Sequence, residues 1–188
     1  MFSELRLATR LSIGFGVLTL GLVVIAGFGA FDLWQFNSQV KKVANIYAPA
    51  QGYLLNADRD LQQALVAERT LLLLPPDSEN FNAQVQAHQE NIQQAHDRVE
   101  KYAKLVNTPE SNTMVVQYRG LQAKWSQSTT DLVNQLSNRP SSIQLALLTN
   151  DSMERIDAEF NDMRSIIDEI GNHLSEQIIT EAQQAQSA

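Results

Sequence analysis

Hydrophobic positions fall along this chain in two regimes. From Leu11 to Phe31 the sequence reads LSIGFGVLTLGLVVIAGFGAF without a charged residue. At 1.5 Å per residue, a helix of that length crosses a hydrocarbon core of roughly 30 Å. Five of the eight glycines (Gly14, Gly16, Gly21, Gly27, Gly29) lie in this stretch, a load that a bilayer helix tolerates and a soluble helix usually does not. The pattern predicts a transmembrane helix over 11–31. A cleaved signal peptide is the competing reading, but its apolar core runs to about 7–15 residues, and Phe28 spoils a small-x-small site ending at Ala30. The pairs Ser12/Gly16 and Ala26/Ala30 allow close helix contact.

Beyond Phe31 the apolar residues recur in alternating steps of three and four, the period of helices packed side by side. The first segment gives Leu33, Phe36, Val40, Val43, Tyr47, Ala50, Leu54, Ala57, Leu61, Ala64 and Leu71, interrupted at Glu68. The second gives Phe81, Val85, His88, Ile92, Ala95, Val99, Tyr102 and Val106. The third is looser, through Met114, Tyr118, Leu121, Trp125, Ser128, Leu132 and Leu136. The fourth is the cleanest: Met153, Ile156, Phe160, Met163, Ile167, Ile170 and Leu174.

Breakers punctuate these segments at Pro75-Pro76, Pro109 and Pro140. Thr108-Pro109-Glu110 offers a cap, a first-turn proline and a first-turn acid, while Asp77 or Ser78 and Ser141 or Ser142 can cap the other two starts. The predicted helices are therefore about 32–74, 78–107, 109–138 and 141–187. Such short connections force neighbours antiparallel, so the predicted fold is all-α: an up-down-up-down four-helix bundle preceded by a transmembrane helix continuous with the first bundle helix. The first and last helices outrun the middle two by a dozen or more residues. If both long ends face the membrane, the last aims back at the bilayer, and the sequence ends where a second span is expected.

Arg6 and Arg10 flank one side of the span and Lys41 and Lys42 the other, which leaves the charge rule nearly tied. Ten residues ahead of the span and a long polar domain behind it favour a cytoplasmic start: 1–10 inside, 11–31 in the membrane, 32–188 extracytoplasmic. Trp34, with Phe31 and Phe36, fits either an interfacial aromatic belt or ordinary packing.

The net charge of −7, with no run of basic residues, argues against nucleic acid. The absence of cysteine excludes disulfides, thiolate catalysis, zinc fingers, iron–sulfur clusters and Cys-linked haem. A carboxylate-bridged di-iron bundle needs Glu-x-x-His pairs, and no Glu stands three residues before His88, His96 or His173. With no phosphate loop or nucleophile elbow either, the expectation is a non-enzyme without metal or cofactor.

Three stretches carry a family resemblance: Ala8-Thr-Arg-Leu-Ser-Ile-Gly-Phe-Gly16, then Asn56-Ala-Asp-Arg-Asp-Leu61 with Ala64-Leu-Val-Ala-Glu-Arg69, then Phe160-Asn-Asp-Met-Arg164. Together with the architecture, they make the chain resemble the amino-terminal portion of methyl-accepting chemotaxis proteins that carry a four-helix-bundle sensor. The resemblance implies a homodimer, with a small-molecule ligand bound outside the cell near the membrane-distal end, between first helices. It also implies displacement of the last helix along its axis, with a histidine kinase and adaptor reached only through a cytoplasmic part absent from this sequence. A histidine kinase or cyclic-dinucleotide enzyme carrying the same bundle, and a structural bundle without a small ligand, stand as alternatives.

In the amino-acid-sensing branch, arginines on the first helix hold the ligand's carboxylate and polar groups lie near the start of the fourth. By that resemblance Arg59 takes the first arginine position and Gln63 a polar contact, but Ala64 and Glu68 replace further arginines. Thr149, 11 residues before Phe160, takes the family's threonine position, with Asn150 and Ser152 beside it. Arg59 and Arg69 remain carboxylate partners because guanidinium binds carboxylate bidentately. The structural reading pairs both with Asp58, Asp60 or Glu68 on a solvated face.

Glu68 interrupts an apolar register and needs a partner or water. Antiparallel pairing about Pro75-Pro76 brings it within roughly a turn or two of His88, as a pH-responsive pair or as two separately satisfied residues. Leu71-Leu72-Leu73-Leu74 is apolar all round its helix, to be covered by a second subunit or by the turn folding over the bundle tip. Pro49 lacks an amide donor and predicts a bend in the first helix, loosened further by Gly52.

Overall fold

The computed structural model describes residues 7–186. The expected cytoplasmic start falls partly on residues 1–6, and the expected helix end at 187 also lies outside the described residues. The described residues form four helices: α1 (Leu7–Leu71), α2 (Glu79–Leu105), α3 (Pro109–Ser137) and α4 (142–186). No strand occurs among the described residues. They form the antiparallel four-helix bundle that the pattern predicts, and the apolar N-terminal helix runs into the first bundle helix without a break. α1 lies closest to α2 and α3 to α4, so the bundle is two hairpins pressed together.

The apolar part of α1 is long enough to cross a membrane, and nothing else among the described residues covers it. The exposure continues further than the register suggested. Leu33, Phe36, Val40 and Val43 stay outside, and the core begins at Tyr47. The reason is topological: Tyr47 shares one cleft with the α2–α3 turn at Val106, Asn107 and Thr108, so below that level only α1 and α4 remain.

A widened turn precedes Pro49. Immediately before it, Val43–Tyr47 form a π turn in which the Ala48 amide bonds back to the Val43 carbonyl. An inserted residue of this kind relieves the clash between a proline ring and the carbonyl four residues earlier. A second π turn, Ser152–Ile156, interrupts α4. It changes the phase of the helix upstream of Ile156, so Ser152 enters the core and Met153, assigned there from the sequence, is 49% exposed.

α3 also turns differently from the expected register. Its buried stripe is Ser111, Val115, Tyr118, Gln122, Trp125, Thr129, Leu132 and Leu136, while Met114, Leu121 and Ser128 sit at its border. Ser111, Gln122 and Thr129 each meet a polar group on another helix. Ser111 Oγ donates to Tyr102 Oη at 3.1 Å, Gln122 Oε1 lies 3.3 Å from His96 Nδ1, and Thr129 serves two partners described below. A search for apolar residues alone misses such positions, because hydrogen bonding makes their burial tolerable.

The predicted starts are realised as caps. Ser78 accepts from the Phe81 amide (3.2 Å) and Thr108 from the Ser111 amide (3.1 Å). Ser141 forms a reciprocal capping box with Gln144. At the tip, α1 stops three residues short of the expected 74. The Leu73 amide bonds to Thr70 O at 3.0 Å and the Leu74 amide to Leu71 O at 3.4 Å, a tightening turn that Pro75 enforces. Leu71 and Leu72 are thereby buried and Leu74 packs on the core, while Leu73 points out with 84% exposure. The turn folding over the tip accounts for three of the four leucines.

Candidate functional site

One layer of the core, about a turn below the tip, is polar. Glu68 of α1 is fully buried there. Its two carboxylate oxygens are solvated by the protein: the Ser152 hydroxyl donates to Oε1 at 2.5 Å and the Thr129 hydroxyl donates to Oε2. His88 of α2 completes the chain, its Nε2 lying 2.9 Å from Thr129 Oγ1. Because the threonine proton goes to the carboxylate, its oxygen accepts from the imidazole, which fixes the tautomer protonated on Nε2. Glu68 and His88, expected within a turn or two of each other, are thus joined through a hydroxyl that sequence reading passed over. The four helices meet in this layer, each with one hydrogen-bonding side chain.

Electrostatics follow from burial. Burial pushes the Glu68 carboxyl above its ordinary range, against hydrogen bonds from Ser152 and Thr129 and the charge of Arg69, which pull it down. Burial pushes His88 down to about 4, so it is neutral at neutral pH.

Arg69 leaves the layer towards α4. Its Nη2 donates to Asp157 Oδ1 at 2.8 Å and to the Ser152 carbonyl at 3.4 Å, gripping the π turn. Its Nε stands 3.8 Å from Glu68 Oε1 and is buried without a hydrogen-bond partner. The arginine therefore pairs across helices with Asp157, where the sequence offered only neighbours on its own helix. It is one rung of a series. Asp58 receives Arg164 Nε at 2.5 Å in the middle of the bundle, and Lys42 Nζ meets Glu181 Oε2 at 3.1 Å near its lower end. α1 and α4 are clipped together by an ion pair at three heights.

Arg69, Ser152, Glu68 and His88 are thus brought together, and the remaining candidates are not. Arg59 lies ten residues back along α1, roughly 15 Å away. It pairs with Asp60 Oδ1 through Nε (3.1 Å) and Nη2 (2.9 Å), as the structural reading expected. Asp60 is buried and is held also by Arg98 of α2. Gln63 is exposed on the outward face of α1. The Thr149 hydroxyl donates to the Leu145 carbonyl of its own helix at 2.8 Å, and Asn150 is exposed.

Thr129 and Asp157 are the members of this site that the sequence left unmarked. The spacing of Trp125, Thr129 and Leu132 could have found the first. No group of His, Cys, Asp or Glu able to hold a metal ion occurs among the described residues.

Comparison with known proteins agrees with this architecture. Residues 1–169 match the family model described as the Tar ligand binding domain homologue. A search of curated proteins gives no match. An uncovered apolar helix, the bundle it enters and a family match over most of the length lead to one assignment: the chain belongs to the Tar ligand-binding-domain family and is a sensing module of a chemoreceptor.

Proposed function

We propose that this module works as a homodimer outside the cytoplasm, anchored in the inner membrane by residues 11–31, and reports a small carboxylate-bearing ligand by displacing α4 along α1. In this reading residues 1–10 are cytoplasmic and 32–188 are the sensor. The output, control of a histidine kinase, lies in a cytoplasmic part beyond this sequence. The observation that carries the reading is Arg69. It extends from α1 to the π turn of α4, beside a buried polar layer, with its Nε donor still unused. A carboxylate competing with Asp157 for this guanidinium would loosen one rung between the helices and leave a deformable turn exposed to the change. Of the other candidates only Ser152 stands beside this guanidinium; Arg59, Gln63, Thr149 and Asn150 lie away from it and are not contacts of the same ligand. Dimerisation uses the outward face of α1, where Leu55 and Val66 are exposed, with Leu73 of the turn beyond it.

The test is a thermal-unfolding screen of amino acids and small carboxylates on the chain in lipid nanodiscs. A ligand of the native state alone stabilises it by about 2.7 kcal/mol at a hundredfold excess over Kd. The expected result is at least one stabilising carboxylate whose effect is lost in Arg69→Ala. A structural bundle without a ligand predicts no shift with any compound, and that outcome would remove the sensing mechanism proposed here.

A further inference from the structure

The two turns at the membrane-far end of the bundle enclose a space that the contacts proposed above do not use. Its volume is about 230 Å³. Leu72, Leu74 and Phe81 wall it from the α1–α2 turn, and Leu136, Pro140 and Leu145 from the α3–α4 turn. An apolar cavity of about 150 Å³ suffices to take up benzene. The tip space therefore has room for one six-membered ring with a short substituent.

Two charges stand at its edge. Arg139 Nη2 meets Asp77 Oδ1 at 2.5 Å, and the two side chains are 72% and 63% exposed. So hydrated a pair contributes little stability and exchanges readily with another partner. Arg139 is also the one non-glycine residue with positive φ among the described residues, at 56°. It follows the C-cap Asn138 of α3, a place that glycine or asparagine takes without strain. The strain supports a guanidinium at the mouth of an apolar space. A guanidinium is weakly hydrated and grips a planar carboxylate through two parallel hydrogen bonds, whereas an ammonium on Asp77 gains one point contact.

We propose that the tip cavity is a second binding site, distinct from the α1–α4 polar layer, for a small apolar carboxylate of about benzoate size. The ring occupies the space between the two turns. The carboxylate replaces that of Asp77 on Arg139, and the bound molecule ties one hairpin of the bundle to the other.

The experiment uses the full chain in nanodiscs with benzoate, the neutral isostere benzamide and the cation benzylamine, read by thermal unfolding and by saturation-transfer NMR. Benzoate is expected to raise Tm, benzamide to raise it less, and benzylamine to leave it unchanged. Arg139→Gly is expected to raise the Tm of the unliganded protein by relieving the strain, and to weaken benzoate at least tenfold, to the level of benzamide. Leu145→Trp, which fills the cavity, is expected to abolish both. Arg69→Ala, the test of the polar layer, is expected to leave benzoate binding intact. The proposal is overturned if benzoate produces no shift, if its shift survives both Arg139→Gly and Leu145→Trp, if benzylamine binds better than benzoate, or if Arg69→Ala removes the binding.

Discussion

A carboxylate with no exposure must be solvated by protein, and Glu68 takes that solvation from two hydroxyls and a nearby guanidinium. Burial still holds its carboxyl above the ordinary range. With the folded pKa above the unfolded one, its stabilising contribution is complete below the ordinary glutamate value and is lost as pH rises through the native-state value. Glu68→Gln is therefore expected to stabilise the protein at pH 8, with the gain vanishing towards pH 4 in denaturant titrations. A glutamine variant less stable at pH 8 would mean that the hydrogen bonds to the carboxylate outweigh its burial. His88 has the opposite sign. Its native pKa of about 4 lies below the ordinary 6.5, so the unfolded chain takes up the proton first as pH falls. Its contribution is present above 6.5 and lost between 6.5 and about 4. Over that window the loss amounts to about 3 kcal/mol, and His88→Gln is expected to flatten this part of the stability profile. The chemistry of both residues was legible in the sequence as polar interruptions of an apolar register. Thr129 between them was not, because a threonine on a helix attracts no attention until its partners are placed.

At the scale of elements, helix starts were the most legible feature, since Ser78, Thr108 and Ser141 each supply an oxygen to amides that lack partners. Ser141→Ala removes the hydroxyl half of a capping box, leaving the bond from the residue 141 amide to Gln144, and is expected to cost about 1 kcal/mol in thermal or chemical unfolding. An unchanged midpoint would show that the α4 start is held by packing alone. Helix ends and phases were less legible. α1 ends early because Pro75 reshapes the turn before it, and α3 is rotated from the apolar reading because Ser111, Gln122 and Thr129 are core residues by hydrogen bonding. Of the two π turns, one announces itself through Pro49. The other lies in Ser152–Ile156, a stretch without proline or glycine, and is visible only through the exchange of Met153 for Ser152 in the core.

For the whole molecule, the topology followed from three proline breaks and the period of the apolar residues, so its legibility was high. The grouping of side chains from four helices into one layer depends on relative helix height, which spacing within a helix does not encode. Assembly leads to a further prediction. Val66 lies exposed on α1 between Leu55 and Leu73, and Val66→Lys is expected to shift sedimentation towards monomer while the circular dichroism of the helices stays unchanged. A dimer persisting in this variant would move the interface off α1. The π turn of α4 carries a mechanical consequence of its own. An extra residue that widens a turn adds nothing to the length of the rod, so it is a stored increment, worth about 1.5 Å along the axis and about 100° around it once it is ironed out. In the displacement proposed for the last helix, that increment near its far end would serve as one tooth of slack, released as a step and a twist together at the other end.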